Sequence, residues 1–177
     1  MSEKELIALW EKETEEWFMN KALFLLSYRP RSEKEMEQRL QMYLKKSEPT
    51  LKKAPFFSQL KTEQVIKKVI ADFKKKRLIN DQEFIFWWCE QRSRFRPRSL
   101  IQLKTELRNK GVDRKIIDQG LKAAGYNEEK MAKALLEKKL KAIRGKERKR
   151  KILLYLTRKG FPYRLVKNLI DERFDLA

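Results

Sequence analysis

A short phrase occurs twice in this chain, and it constrains the fold more than any other feature. Arg29-Pro30-Arg31-Ser32 opens one amphipathic segment, and Arg96-Pro97-Arg98-Ser99 opens another. Past each Ser, apolar residues fall at matched positions: Met36 and Leu40 in the first copy, Leu103 and Leu107 in the second. A third segment lacks the phrase but keeps the spacing, with Ile152 and Leu156. Shifting by 49 residues superposes Leu103, Leu107, Gly111, Ile116, Ile117 and Leu121 on Ile152, Leu156, Gly160, Leu165, Val166 and Ile170. Self-similarity at this period marks small supersecondary units stacked in series.

The pattern predicts an all-α fold: an elongated tandem array of three three-helix repeats with an extra N-terminal helix. Residues 1–16 read as an acidic amphipathic helix of net charge −4, with Leu6, Leu9 and Trp10 at helical spacing, acting as a cap. Residues 17–81 form the first repeat. A helix through Ala22, Leu25 and Leu26 stops before Pro30. Ser32 starts the next helix, with Glu35 completing a capping box. Residues 45–61 read as a polar insertion with Pro49 and Pro55, held down by Phe56 and Phe57. Thr62 is the expected cap of a third helix that carries Val65, Ile66, Val69, Ile70 and Phe73.

Residues 82–126 form the second repeat. Asp81 is the expected cap of a helix burying Phe84, Ile85, Trp88 and Cys89. Ser99 with Gln102 repeats the capping box, Gly111 ends a helix in the left-handed conformation, and Asp113 caps the next. Residues 127–177 form the third repeat, opened by Asn127.

Composition enters through charge. The chain carries 44 Lys and Arg against 25 Asp and Glu, a net of +19. The three repeats carry +9, +5 and +9. Positive charge distributed along an extended body suits a linear polyanion or an acidic protein filament. Arg29 and Arg31 precede the first capping box; Arg92, Arg94, Arg96 and Arg98 lead into the second. A third cluster holds Arg144, Lys146, Arg148, Lys149, Arg150 and Lys151, and Lys110, Arg158 and Lys159 lie beside the turn glycines. These are the candidate contact residues. Basic residues beside a helix N-terminus offer charge and backbone N–H groups to one anion, and Arg adds bidentate geometry. The plain alternative is charge that only keeps loops soluble. Trp87 and Trp88 are weighed as base-stacking surfaces, Trp88 the more readily as core.

With no His and one Cys, catalytic dyads that need His, Cys/His zinc sites and an intrachain disulfide are excluded. Cys89 shares the buried stripe and reads as an inert thiol. No Gly-rich phosphate loop occurs. The chain is therefore expected to bind rather than catalyse, with no cofactor and no metal. The N-terminus lacks an apolar leader and no run reaches membrane-spanning length, so a cytoplasmic monomer without membrane contact is expected.

Ile79-Asn80-Asp81-Gln82-Glu83-Phe84, then Arg96-Pro97-Arg98-Ser99, then Glu106-Leu107-Arg108-Asn109-Lys110-Gly111-Val112-Asp113 together resemble the central signature of the RecX regulatory proteins. The run from Arg29 to Leu40 resembles that family's first repeat, and Leu156-Thr157-Arg158-Lys159-Gly160-Phe161-Pro162 its third. The resemblance covers roughly residues 20–171. The chain departs from it in the 45–61 insertion, in Ile85 where Ala is usual, and in the acidic N-terminal segment. The resemblance implies tandem three-helix repeats lying in the groove of the RecA–DNA filament and modulating the recombinase, usually by inhibition. It implies RecA and single- or double-stranded DNA as partners. The competing reading is an independent, non-specific DNA-binding protein built from units like a helix-turn-helix. A more distant one is a helical scaffold for an acidic protein.

Overall fold

The computed structural model describes residues 2–51, 61–145 and 147–175. Among these, nine α-helices follow one another without a strand: α1 Glu3–Tyr28, α2 Glu33–Leu51, α3 Thr62–Lys75, α4 Asp81–Phe95, α5 Leu100–Asn109, α6 Arg114–Ala123, α7 Glu128–Ala142, α8 Arg148–Arg158 and α9 Tyr163–Asp175. The all-α repeat fold is as the sequence predicts. None of these helices is long and apolar enough to cross a membrane.

Helix ends follow local chemistry, with instructive departures. Ser2 and Glu5 form a complete capping box: the Glu5 N–H donates to Ser2 Oγ at 3.3 Å and the Ser2 N–H donates to Glu5 Oε2 at 2.7 Å. No Gly or Pro interrupts the chain from there to Pro30. The expected separate N-terminal helix is therefore the first half of a continuous α1. Pro30 forces Arg29 into extended backbone, φ −171°, and α1 stops. The helix expected to end at residue 44 continues through Pro49 to Leu51, so the insertion is helical in its first part. Residues 52–60, with Pro55, Phe56 and Phe57, lie outside the described residues.

Two expected caps are replaced. Thr62 is the first helical residue of α3, and Lys61 before it makes no side-chain cap. Asn80, rather than Asp81, caps α4, its Oδ1 accepting from the Gln82 N–H at 2.9 Å. Asp113 and Asn127 cap α6 and α7 as expected, each accepting at 2.8 Å from Lys115 and Lys130. Gly111 and Gly160 both adopt the left-handed conformation, φ 78° and 77°.

The chain packs as two compact units. One comprises residues 1–84 with the short piece 110–112; the other comprises 85–109 and 113–177. In the first unit α1, α2 and α3 pack against one another. Phe18, Met36, Leu40, Ile66, Val69 and Phe73 are each at most 1% exposed there. Burying a side chain of this size stabilises by about 1.5–3 kcal/mol. In the second unit α5 packs on α6, and α7, α8 and α9 pack on one another around Ala132, Leu136, Ile152, Leu156 and Val166. Ile85, Trp88 and Cys89 are buried in that unit too, as the stripe predicts.

Candidate functional site

The two copies of the repeated phrase are joints as well as helix starts. In the first unit Ser32 is fully buried. Its hydroxyl accepts from the Glu35 N–H at 3.1 Å and donates to the Lys110 carbonyl at 2.5 Å. A hydroxyl is needed because it accepts and donates at once. The next N–H, of Glu33, donates to Asp81 Oδ1 at 2.9 Å. Burial raises the Asp81 carboxyl above its ordinary value, although this bond opposes the shift. Gly111 sits so close that a Cβ there would lie 2.3 Å from Lys34 Cβ.

The second unit repeats the arrangement. Ser99 is fully buried and accepts from the Gln102 N–H at 3.3 Å. The Leu100 N–H donates to Glu128 Oε1 at 2.7 Å. A Cβ on Gly160 would lie 2.7 Å from Ser99 Oγ. In both copies, then, a carboxylate at the first residue of a later helix accepts from the N–H that follows the serine, and a turn glycine packs against the same helix start, on Lys34 in one copy and Ser99 in the other. Neither capping box is complete, because the third residue's side chain goes elsewhere. Glu35 is taken by cations, and Gln102 Oε1 is buried with no hydrogen-bond partner among the described residues.

Several predicted contact arginines serve this framework. Arg29, Arg31 and Lys110 converge on Glu35, at 2.5, 3.1 and 3.2 Å, with the Glu35 side chain only 7% exposed. Burial alone would raise the Glu35 carboxyl. The Arg29 hydrogen bond and the charges of Arg29 and Lys110 outweigh it and hold the group below its ordinary value. Burial and the neighbouring Arg29 lower the Arg31 guanidinium. In the second unit Arg92 and Arg98 converge on Glu106 at 2.5 and 2.8 Å, and the Trp88 indole N–H donates to the same carboxylate at 3.0 Å. Arg92 also lies 4.4 Å from the Trp88 ring centre. Here too burial raises Glu106 and its cationic partners and the indole bring it below the ordinary value.

The remaining candidates divide by exposure. Arg148 is half-buried, donates to the Leu140 carbonyl and lies over Phe174, as does Lys149 at 4.8 Å. Lys159 lies over Tyr155 at 5.9 Å. Arg94 pairs with Glu90, and Arg150 with Glu147, both at the surface. Arg96, Arg144, Lys151 and Arg158 are exposed and make no ion pair among the described residues. Lys146 lies outside them. Trp88 is core, while Trp87 is half-buried. Cys89 is buried, and desolvation pushes its thiol up to about 12, too weak an acid to supply a thiolate near neutrality.

Sequence reasoning missed Glu35 and Glu106 as organisers. The available signal was spacing: Glu35 stands one helical turn after Arg31, and Glu106 is the first acid after Arg98.

The same segments carry the likeness to known proteins. The first three-helix domain of RecX matches residues 19–43, and the second matches 80–121. Regulatory protein RecX of Corynebacterium efficiens is 31% identical over 180 residues, spanning 95% of this chain and 78% of that protein. Regulatory protein RecX of Streptococcus pneumoniae (strain Hungary19A-6) is 29% identical over 97% of this chain, which spans only 61% of that relative. The crystal structure of RecX from Lactobacillus salivarius superposes with a TM-score of 0.69 at 24% identity, covering 94% of this chain and 99% of the other. That likeness is one of fold, and the sequence relatives supply the kinship. The repeated joints, the helix order and these relatives place the chain in the RecX family of regulatory proteins.

Proposed function

We propose that the chain is a non-catalytic regulator that binds in the groove of a RecA–DNA filament and slows the recombinase. The observation that carries this reading is the set of exposed cations left over once the framework is assembled: Arg96, Arg144, Lys151 and Arg158, with Arg94, Lys149 and Arg150 in loose surface contacts. Family membership and the net charge of +19 support it. Weak contacts spread over several repeats add through high effective concentration, which suits a periodic filament.

The test is filament ATPase titrated with full-length protein at several salt concentrations, beside binding to bare DNA. The expected result is falling ATPase and tighter binding to the filament than to naked strand. Equal binding to bare DNA with unchanged ATPase would favour an independent DNA-binding protein. A truncation after Gly125 is unsuitable, because it cuts through the second compact unit.

A further inference from the structure

Tyr28 and Phe95 occupy one register position in the two copies of the phrase, immediately before Arg29 and Arg96. Tyr28 is 71% exposed and Phe95 72%. A single exposed aromatic is ordinary at a protein surface. Two at one repeat position, with matching exposure, share a cause. Each is the last residue of its helix, α1 or α4. The proline two residues on bars the intervening arginine from helix, so the chain turns away and leaves the ring at the helix end.

The surroundings select the ligand. An aromatic that anchors a protein interface is ringed by groups that seal out water. Phe95 instead lies in sequence between Arg94 and Arg96, both exposed. Tyr28 makes a T-shaped contact with Phe24, ring centres 5.0 Å apart, and keeps most of its surface open to solvent. An open ring face beside a guanidinium fits an unpaired base and its phosphate. Duplex bases, already stacked on one another, offer no such face. We propose that Tyr28 and Phe95 are stacking platforms for bases of single-stranded nucleic acid, one in each compact unit, with Arg96 meeting an adjoining phosphate. The assignment deepens the filament reading by naming how the chain meets exposed bases. It is tested on strand alone, so its failure leaves that reading standing.

The experiment is fluorescence anisotropy of a labelled oligothymidylate with full-length protein and the variants Tyr28→Ala, Phe95→Ala and their double. Far-UV circular dichroism checks the helices. Each single change is expected to weaken binding about tenfold, the loss of one stacked base. The double should lose more, and the slope of affinity against salt should stay the same because phosphate contacts remain. Tyr28→Phe and Phe95→Trp should retain binding. An abasic strand of equal length and charge should bind the unaltered protein as weakly as oligothymidylate binds the double variant. Unchanged affinity of the double variant, or equal binding of the abasic strand, overturns the proposal. So does a loss confined to the recombinase filament, which would make the rings protein contacts.

Discussion

The two copies of Arg-Pro-Arg-Ser share a backbone and differ in how they use charge. In the first, both arginines and Lys110 close on Glu35, and no arginine of the phrase stays loose. In the second, Arg98 and Arg92 close on Glu106, while Arg96 stays exposed. The cause is where the acid stands. A shift of 67 residues puts neutral Gln102 at the place of Glu35, and Glu106 at the place of Arg39. Moving the carboxylate one turn along the helix trades a three-cation cluster for a two-cation one that recruits the Trp88 indole, and releases Arg96. One phrase thus builds a closed joint in one copy, and a joint with a spare cation in the other.

Removing each acid should have the largest effect. Glu35→Ala strands three cations, of which the Arg31 side chain is only 10% exposed. It should destabilise by about 3–5 kcal/mol, as a broken buried ion pair does. Glu106→Ala leaves Arg92, Arg98 and the indole in a more open place, the Glu106 side chain being 23% exposed. About 2 kcal/mol is expected there, for hydrogen bonds lost to a charged group. Urea unfolding of the two variants checks the order. A larger loss at Glu106 would invert the argument.

Next in size come the turn glycines. Gly111→Ala combines φ 78° with a Cβ contact of 2.3 Å on Lys34 Cβ, which cannot swing aside because it is bonded to the backbone. A loss of about 3 kcal/mol is expected. Gly160→Ala meets Ser99 Oγ at 2.7 Å, an atom that a χ1 change can move, so about 2 kcal/mol is expected. Gly125→Ala has φ 58° and nothing within 4 Å, and isolates the backbone strain alone, about 1 kcal/mol. Thermal melts of the three variants should rank in that order.

Lowering the pH acts on the same two carboxylates. Glu35 and Glu106 are both held below the ordinary carboxyl value of 4.5. Their contribution is therefore complete above about pH 4.5 and is lost as pH falls through the depressed folded values. Asp81, raised by burial, has the opposite sign: its contribution is present below its ordinary value and is lost as pH rises through the folded one. Melting temperature should fall on acidification from pH 5, and Glu35→Gln should flatten that fall. An unchanged acid limb in the variant would mean that other carboxylates set it.

The fold was legible because it rests on short-range rules. Met36, Leu40, Leu103, Leu107, Ile152 and Leu156 were picked by spacing, and each is fully buried. Asp113 and Asn127 act within two or three residues of themselves, so sequence suffices. What failed was long-range. Asp81 looks like a local cap, yet its carboxylate serves an N–H 48 residues earlier, and Asn80 takes the local role. Glu35 looks like the third member of a capping box, but Lys110, 75 residues away, competes for it. The candidate site suffered for the same reason. Charge counting treats every arginine as available, and it cannot separate Arg98, closed on a carboxylate, from Arg96, two residues away and exposed.

That last pair gives the subtlest prediction. Charge reversal at both Arg96 and Arg98, the natural sequence-based test of an interface, would confuse two effects, because Arg98→Glu sets a second carboxylate beside Glu106. Taken singly they should separate. Arg98→Ala should lower stability by about 1 kcal/mol and leave DNA affinity little changed in the folded fraction. Arg96→Ala should leave urea stability within about 0.5 kcal/mol, since Arg96 makes no ion pair among the described residues. If Arg96 meets a phosphate, its loss should lower the slope of log affinity against log salt by about 0.7 on single strands, one released counterion. Anisotropy titrations from low to physiological salt measure this directly. A slope unchanged by Arg96→Ala but reduced by Arg98→Ala would mean that the carboxylate cluster opens on binding and that the spare cation is the wrong one of the two.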